Sequence, residues 1–284
     1  MYPKDIHQIS ELAAADGTVL ALHHWAPKDG VTARGVLFYV HGIQSHASWL
    51  FETGPELAAR GVVTYALDRR GSGVSGGVRG DLPSADTVLE DYRLGLATAR
   101  REHPELPVTL LGQSFGGSIV GALAAVGGLD VATVVYCTPA LGQQRARFGA
   151  VGRAAVRQLS GQERAPIALE DEDYTGEARY LEFMANDRLM LRQITDRTRA
   201  AMVALEDSYT GLQAPVAPGP DIHFVRAERD PIIDLDVSEK TLRELHGDFS
   251  TTSFAARHHY IEFSPARRDY WDWLAGIVVP TVPA

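Results

Sequence analysis

A serine hydroxyl becomes a nucleophile only when a base takes its proton and a third group orients that base. The stretch Val108-Thr109-Leu110-Leu111-Gly112-Gln113-Ser114-Phe115-Gly116-Gly117 drives an apolar run into a Gly-x-Ser-x-Gly turn. That pattern places a hydroxyl on a tight strand-to-helix elbow, which makes Ser114 the candidate nucleophile. Glycines at 112 and 116 allow strand and helix to approach without Cβ atoms between them. Downstream, Asp230 follows Ile222-His223-Phe224-Val225 after a short loop, and His258 and His259 follow the run from Ser250 to Ala255. Serine, acid and histidine thus occur in the order expected when acid and histidine each follow a late strand. Asp230 is the expected acid, ahead of Glu228, Asp234 and Asp236; the last two suit the start of the next helix, where carboxylates meet its dipole. His259 is the expected base, with His258 as runner-up, because Ile261 and Phe263 can anchor the loop presenting it. Acyl transfer also needs hydrogen-bond donors for an oxyanion. The amide of Phe115 at the helix start is one, and the amide of Ile43, in His41-Gly42-Ile43-Gln44 after the strand ending at Val40, is the other.

The elements needed to position these groups are legible on both sides. Asp16-Gly17 marks a hairpin between Ser10–Ala14 and Thr18–Ala26. The continuous apolar run at 35–40 reads as a strand buried on both faces, and 62–67 and 131–136 read as further strands. Helices are predicted over Ser48–Arg60, Ser84–His103 and Ser118–Ala125, and a last one near the C-terminus with Ser264 as N-cap and Pro265 in its first turn. Alternation of strand and helix predicts an α/β protein with a mostly parallel central sheet flanked by helices. The alternation stops after Pro139. Residues 140–218 show helical patterns, notably Glu177–Asn186 and Asp187–Leu205, before the stiff connector 213–220. A helical cap inserted in a core of residues 1–139 and 219–284 is therefore expected. The loop Asp68-Arg69-Arg70-Gly71-Ser72-Gly73-Val74-Ser75-Gly76 reads as packed structure: it lacks the Gly-Lys-Ser/Thr ending of a phosphate cradle.

Composition narrows the function classes. The 284 residues carry a net charge of −9, 45% hydrophobic and 22% charged residues, as in an ordinary globular protein. The acidic balance excludes a nucleic-acid binder, which needs a basic face. No apolar stretch is long enough for a membrane span, so no stable membrane insertion is expected. Met1-Tyr2-Pro3-Lys4-Asp5 does not begin a signal peptide, and the single cysteine, Cys137, reads as a packed thiol; both point to the cytoplasm. His7, His23, His24, His46, His103, His223 and His246 show no ligand spacing, so no metal site is expected.

Taken together, these residues resemble the α/β-hydrolase fold, and more narrowly the monoglyceride lipases, lysophospholipases and serine aminopeptidase-like hydrolases. The resemblance is carried by Asp16-Gly17-Thr18 with Leu20, His41-Gly42, Asp68-Arg69-Arg70-Gly71-Ser72-Gly73, Gly112-Gln113-Ser114-Phe115-Gly116-Gly117, Asp230, the region of His259, and Phe183-Met184-Ala185-Asn186-Asp187-Arg188-Leu189. It implies hydrolysis of a carboxylic ester, often an acylglycerol, through an acyl-serine and without a cofactor. It also implies that bulky Ile43, standing where the group usually has a small residue, alters the acyl pocket. The same fold serves thioesters, lactones and non-hydrolytic reactions of secondary metabolism, and some members are inactive binding modules. The intact serine, acid and histidine weigh against the last of these. The sequence leaves the oligomeric state open.

Overall fold

The apolar runs pair into the middle of one sheet. In the computed structural model, which describes residues 6–28, 30–216 and 219–279, the strands in chain order begin with β1 (His7–Ala13), β2 (Val19–Trp25), β3 (Gly35–Val40), β4 (Val62–Leu67), β5 (Val108–Gln113) and β6 (Thr133–Cys137). They continue as β7 (Arg164–Pro166), β8 (Gln193–Thr195), β9 (Asp221–Ala227) and β10 (Ser250–Phe254). Eight of them form a sheet in the order β1-β2-β4-β3-β5-β6-β9-β10. The hairpin β1–β2 and the β2–β4 pair are antiparallel, and every later neighbour is parallel. The reading of residues 1–5 as free of a signal peptide lies outside the described residues, as do 217 and 218 of the connector.

Period-2 alternation explains why β3 is buried along its whole length. Val36, Phe38 and Val40 point into one core and Leu37 and Tyr39 into another on the opposite face. The helices covering these faces are α1 (Thr53–Ala59), α2 (Ala85–Glu102), α3 (Phe115–Val126), α7 (Asp196–Tyr209), α8 (Leu235–His246) and α9 (Arg267–Val278), with α4 (Gln143–Arg157), α5 (Asp171–Tyr174) and α6 (Ala178–Asn186) between β6 and β9. Helices α2, α3, α7 and α8 fill the first core through residues such as Tyr92, Leu123, Leu205 and Leu242. The second core is closed by α1 and α9, with Leu57, Tyr270 and Leu274. Each such side chain contributes about 1.5–3 kcal/mol on leaving water, so the two cores anchor the middle of the sheet. The residues expected to form the site stand at its edge, in the segments that follow β3, β5, β9 and β10.

Three local readings are corrected. The helix predicted for Ser48–Arg60 is split into a 3₁₀ turn, Ala47–Phe51, and α1, because Leu50 leaves helical torsions at φ −80° and ψ 18°. The helix predicted from Asp187 to Leu205 begins only at Asp196. Asp187 folds a turn instead, accepting from Leu189 N at 2.9 Å, and 193–195 pair with 164–166 as a short hairpin. The last helix starts at Arg267, and Ser264 caps the turn before it, its Oγ accepting from Ala266 N at 3.1 Å.

Candidate active site

Strand β5 ends against α3 in an elbow at Ser114. Its backbone sits at φ 54° and ψ −123°, a conformation that side-chain-bearing residues avoid. Among the described residues the only other non-glycine with positive φ is Thr138, directly after β6. The elbow closes because Gly112 and Gly116 have no side chains: a Cβ on Gly112 would lie 2.6 Å from the Gly116 carbonyl oxygen, and one on Gly116 would strike the Val40 carbonyl. Ser114 is 7% exposed, at the N-terminus of α3.

His259 and Asp230 meet at this elbow. His259 Nδ1 lies 2.7 Å from Asp230 Oδ2, with the two side chains 0% and 1% exposed. The other carboxylate oxygen accepts from the amides of Ile232 and Ile233 at 2.9 and 3.0 Å, which fixes the plane of the acid. Burial pushes the Asp230 carboxyl up, but the His259 charge and hydrogen bond and these two amides outweigh it and hold it below the usual carboxylate range. His259 is fixed by its backbone too: its N–H donates to Asp173 O at 3.0 Å, and its carbonyl accepts from Thr138 Oγ1 at 3.3 Å. The neighbouring His258 is half-buried and turned against Gly176. The competing acids have other partners. Asp234 caps α8 by accepting from the amides of Asp236 and Val237, Asp236 pairs with Arg226, and exposed Glu228 lies near Arg257.

One expected contact is not closed. His259 Nε2 faces the Gln113 carboxamide, with Nε2 of Gln113 at 3.3 Å, and the Ser114 hydroxyl has no hydrogen bond to it among the described residues. Contacts of this kind often tighten only when substrate arrives.

The loop after β3 is held from behind by Arg69, a residue read from sequence only as part of a packed loop. The guanidinium is fully buried, donates from Nη1 to Gly42 O at 3.0 Å and from Nη2 to Ile43 O at 2.9 Å, and stacks over the Phe115 ring at 5.3 Å. In a trans peptide the N–H points opposite to the carbonyl. With Gly42 O turned to Arg69, the Ile43 amide therefore faces away from it, and among the described residues it has no acceptor. The Phe115 amide, in the first turn of α3, has none within its helix either. If the Ile43 amide is the oxyanion donor that the sequence leads one to expect, replacing Arg69 by methionine, which keeps length and removes the donors, is expected to lower kcat on an ester substrate about 10²-fold with a smaller change in KM, the scale of losing one such donor. Steady-state kinetics on the folded variant check this, and an unchanged kcat rules the role out.

Helix α5 and the segment around Asp187 reach the same loop. Gln44 donates to Leu191 O and accepts from Tyr174 Oη, at 2.9 and 2.8 Å, and Leu191 N donates to Gln44 O at 2.9 Å. Asp187 Oδ2 accepts from His46 Nε2 and Trp49 Nε1 at 2.9 and 2.8 Å. An aromatic cluster of Trp49, Tyr174, Tyr180, Tyr260 and Phe263 packs beneath. Behind His259, the fully buried Glu262 accepts from Tyr39 Oη at 2.9 Å, and burial pushes its carboxyl up to about 7. Burial also pushes the Cys137 thiol up, as a packed cysteine requires. Among the described residues no histidine, cysteine and carboxylate group could hold a metal. No helix there is long and apolar enough to cross a membrane.

The family model Hydrolase_4, described as serine aminopeptidase, S33, matches residues 31–265, well over half of the chain. The chain belongs to this family. It is 35% identical over 129 residues to a monoacylglycerol lipase of Mycolicibacterium smegmatis, 45% of each chain. To the monoglyceride lipase of Rattus norvegicus it is 31% identical over 111 residues, 39% of this chain and 36% of the relative. The matched stretch spans less than half the length of these curated relatives. A soluble variant of the Saccharomyces cerevisiae monoglyceride lipase superposes with a TM-score of 0.82 over 98% of both chains at 18% identity. The fold is thus that of the α/β hydrolases, with the mostly parallel sheet expected from the alternation of elements.

Proposed function

We propose that this member of the serine aminopeptidase S33 family is a serine hydrolase that cleaves acylglycerol- or lysophospholipid-like esters through an acyl-serine. The observation that carries the reading is the buried Asp230–His259 pair, 2.7 Å apart, beside a strained elbow serine. Asp230 holds the Nδ1–H tautomer of His259, leaving the Nε2 lone pair to take the Ser114 proton. Ser114 Oγ attacks the ester carbonyl, and the amides of Ile43 and Phe115 receive the oxyanion. His259 returns the proton to the departing alcohol. A water deprotonated by His259 then attacks the acyl-serine, releasing the carboxylic acid and restoring the hydroxyl.

Residues 140–218 act in this reading as a cap that selects the acyl group. Support comes from α5 and the Asp187 turn, which contact the His259 loop and the His41–His46 loop through Asp173, Tyr174 and Asp187. The names of the relatives favour a monoacylglycerol over other esters. Treating the folded protein with a fluorophosphonate is expected to label Ser114 alone, and monoacylglycerols are expected to slow the labelling. No labelling of folded protein overturns the hydrolase reading. Turnover of thioesters or lactones without turnover of carboxylic esters overturns the substrate class.

A further inference from the structure

The lone pair on His259 Nε2 is met by a donor that the chemistry does not need. Gln113 ends β5 immediately before the nucleophile and is 1% exposed. In the tautomer that donates Nδ1–H to Asp230, His259 Nε2 is an acceptor, so the contact at 3.3 Å is a hydrogen bond donated by Gln113 Nε2. The Ser114 hydroxyl requires that same lone pair. The far end of the carboxamide, Oε1, is buried and has no partner. It faces Gly42, where a Cβ would lie 2.8 Å from it and 3.3 Å from the Ser114 Cβ. The absent side chain at 42 leaves room for the carboxamide between the His259 ring and the loop after β3. One long hydrogen bond is the only one its side chain makes among the described residues.

We propose that Gln113 is a positioning residue that occupies the His259 acceptor in the resting protein and turns away before Ser114 is deprotonated. The proposal rests on the serine-hydrolase reading and adds a step to it. Once Nε2 has taken the Ser114 proton it is a donor and can no longer accept from Gln113. The contact therefore belongs to the ground state alone. An interaction present before the transition state and absent in it slows the reaction by its own strength. A net neutral hydrogen bond of this kind corresponds to a factor of a few to about tenfold in rate.

The test uses Gln113→Met, which keeps the length and removes the donor, and Gln113→Ala, each checked for folding by circular dichroism. In the absence of ester, fluorophosphonate labelling of Ser114 is expected to run a few-fold to about tenfold faster in both, and kcat on a soluble ester to rise with little change in KM. A variant that merely loosens the fold slows labelling. Folded variants labelled at the wild-type rate, or more slowly, overturn the proposal. Wild type that is never labelled overturns the hydrolase reading itself, which separates the two failures.

Discussion

Replacing Ser114 by alanine is expected to lower ester turnover by about five to six orders of magnitude and to abolish fluorophosphonate labelling, with the fold retained. That scale is what loss of the nucleophile produces when the other groups act only through it. The hydroxyl is the single atom removed, and alanine tolerates the positive φ no worse than serine does. The elbow is closed by Gly112, Gly116 and the β5–α3 packing, none of which involves the hydroxyl. Thermal unfolding of the variant is therefore expected to match wild type, while kcat/KM falls to a residue supported by the Ile43 and Phe115 amides. Turnover within tenfold of wild type places the nucleophile elsewhere.

Asp230→Asn is expected to lower kcat about 10⁴-fold through a change of tautomer. The Oδ1 position is committed to the Ile232 and Ile233 amides, so an asparagine keeps its oxygen there and turns its NH₂ toward His259 Nδ1. His259 then carries its proton on Nε2, facing Ser114 with a donor where an acceptor is needed. The acid-range behaviour has a definite sign. A carboxyl held below its ordinary range favours the folded state once ionised, and this contribution is lost as pH falls through its lowered value. The contribution of ionised Asp230 is thus lost only in acid, whereas the asparagine variant lacks it at every pH. Rate profiles from acid to alkaline pH check both statements. A comparable loss in Asp234→Asn, a helix cap in this structure, transfers the role to that residue.

The parts of the molecule legible in sequence are those governed by local rules. Strand β3 is an unbroken apolar run because both of its faces are buried, and the Ser114 elbow is written in glycines because two backbones nearly touch. Asp234 reads as a helix cap because capping is settled within one turn. What stayed hidden depends on partners far along the chain. Asp187 lies in a helical pattern, yet its carboxylate is taken by His46 and Trp49, more than a hundred residues earlier. Arg69 looks like one basic residue in a turn, and its work on the Gly42 and Ile43 carbonyls exists only once β3 and β4 lie side by side. Gln113 stands inside the serine motif, but its contact with a histidine 146 positions away is a product of the fold.

The bonds from Gln44 and His46 to Tyr174, Leu191 and Asp187 bear on how such a protein can be re-engineered. Substrate preference in a two-part enzyme is usually sought by exchanging the variable part and keeping the invariant one. In the proposed reading the two share the loop whose Ile43 amide is to receive the developing negative charge. A transplanted segment lacking a tyrosine and a carboxylate at these places would bring a new acyl preference and a displaced donor together. Recruits for new substrates are therefore expected to arise from side chains that avoid this seam, and libraries that leave Tyr174 and Asp187 untouched will hold the larger share of active clones.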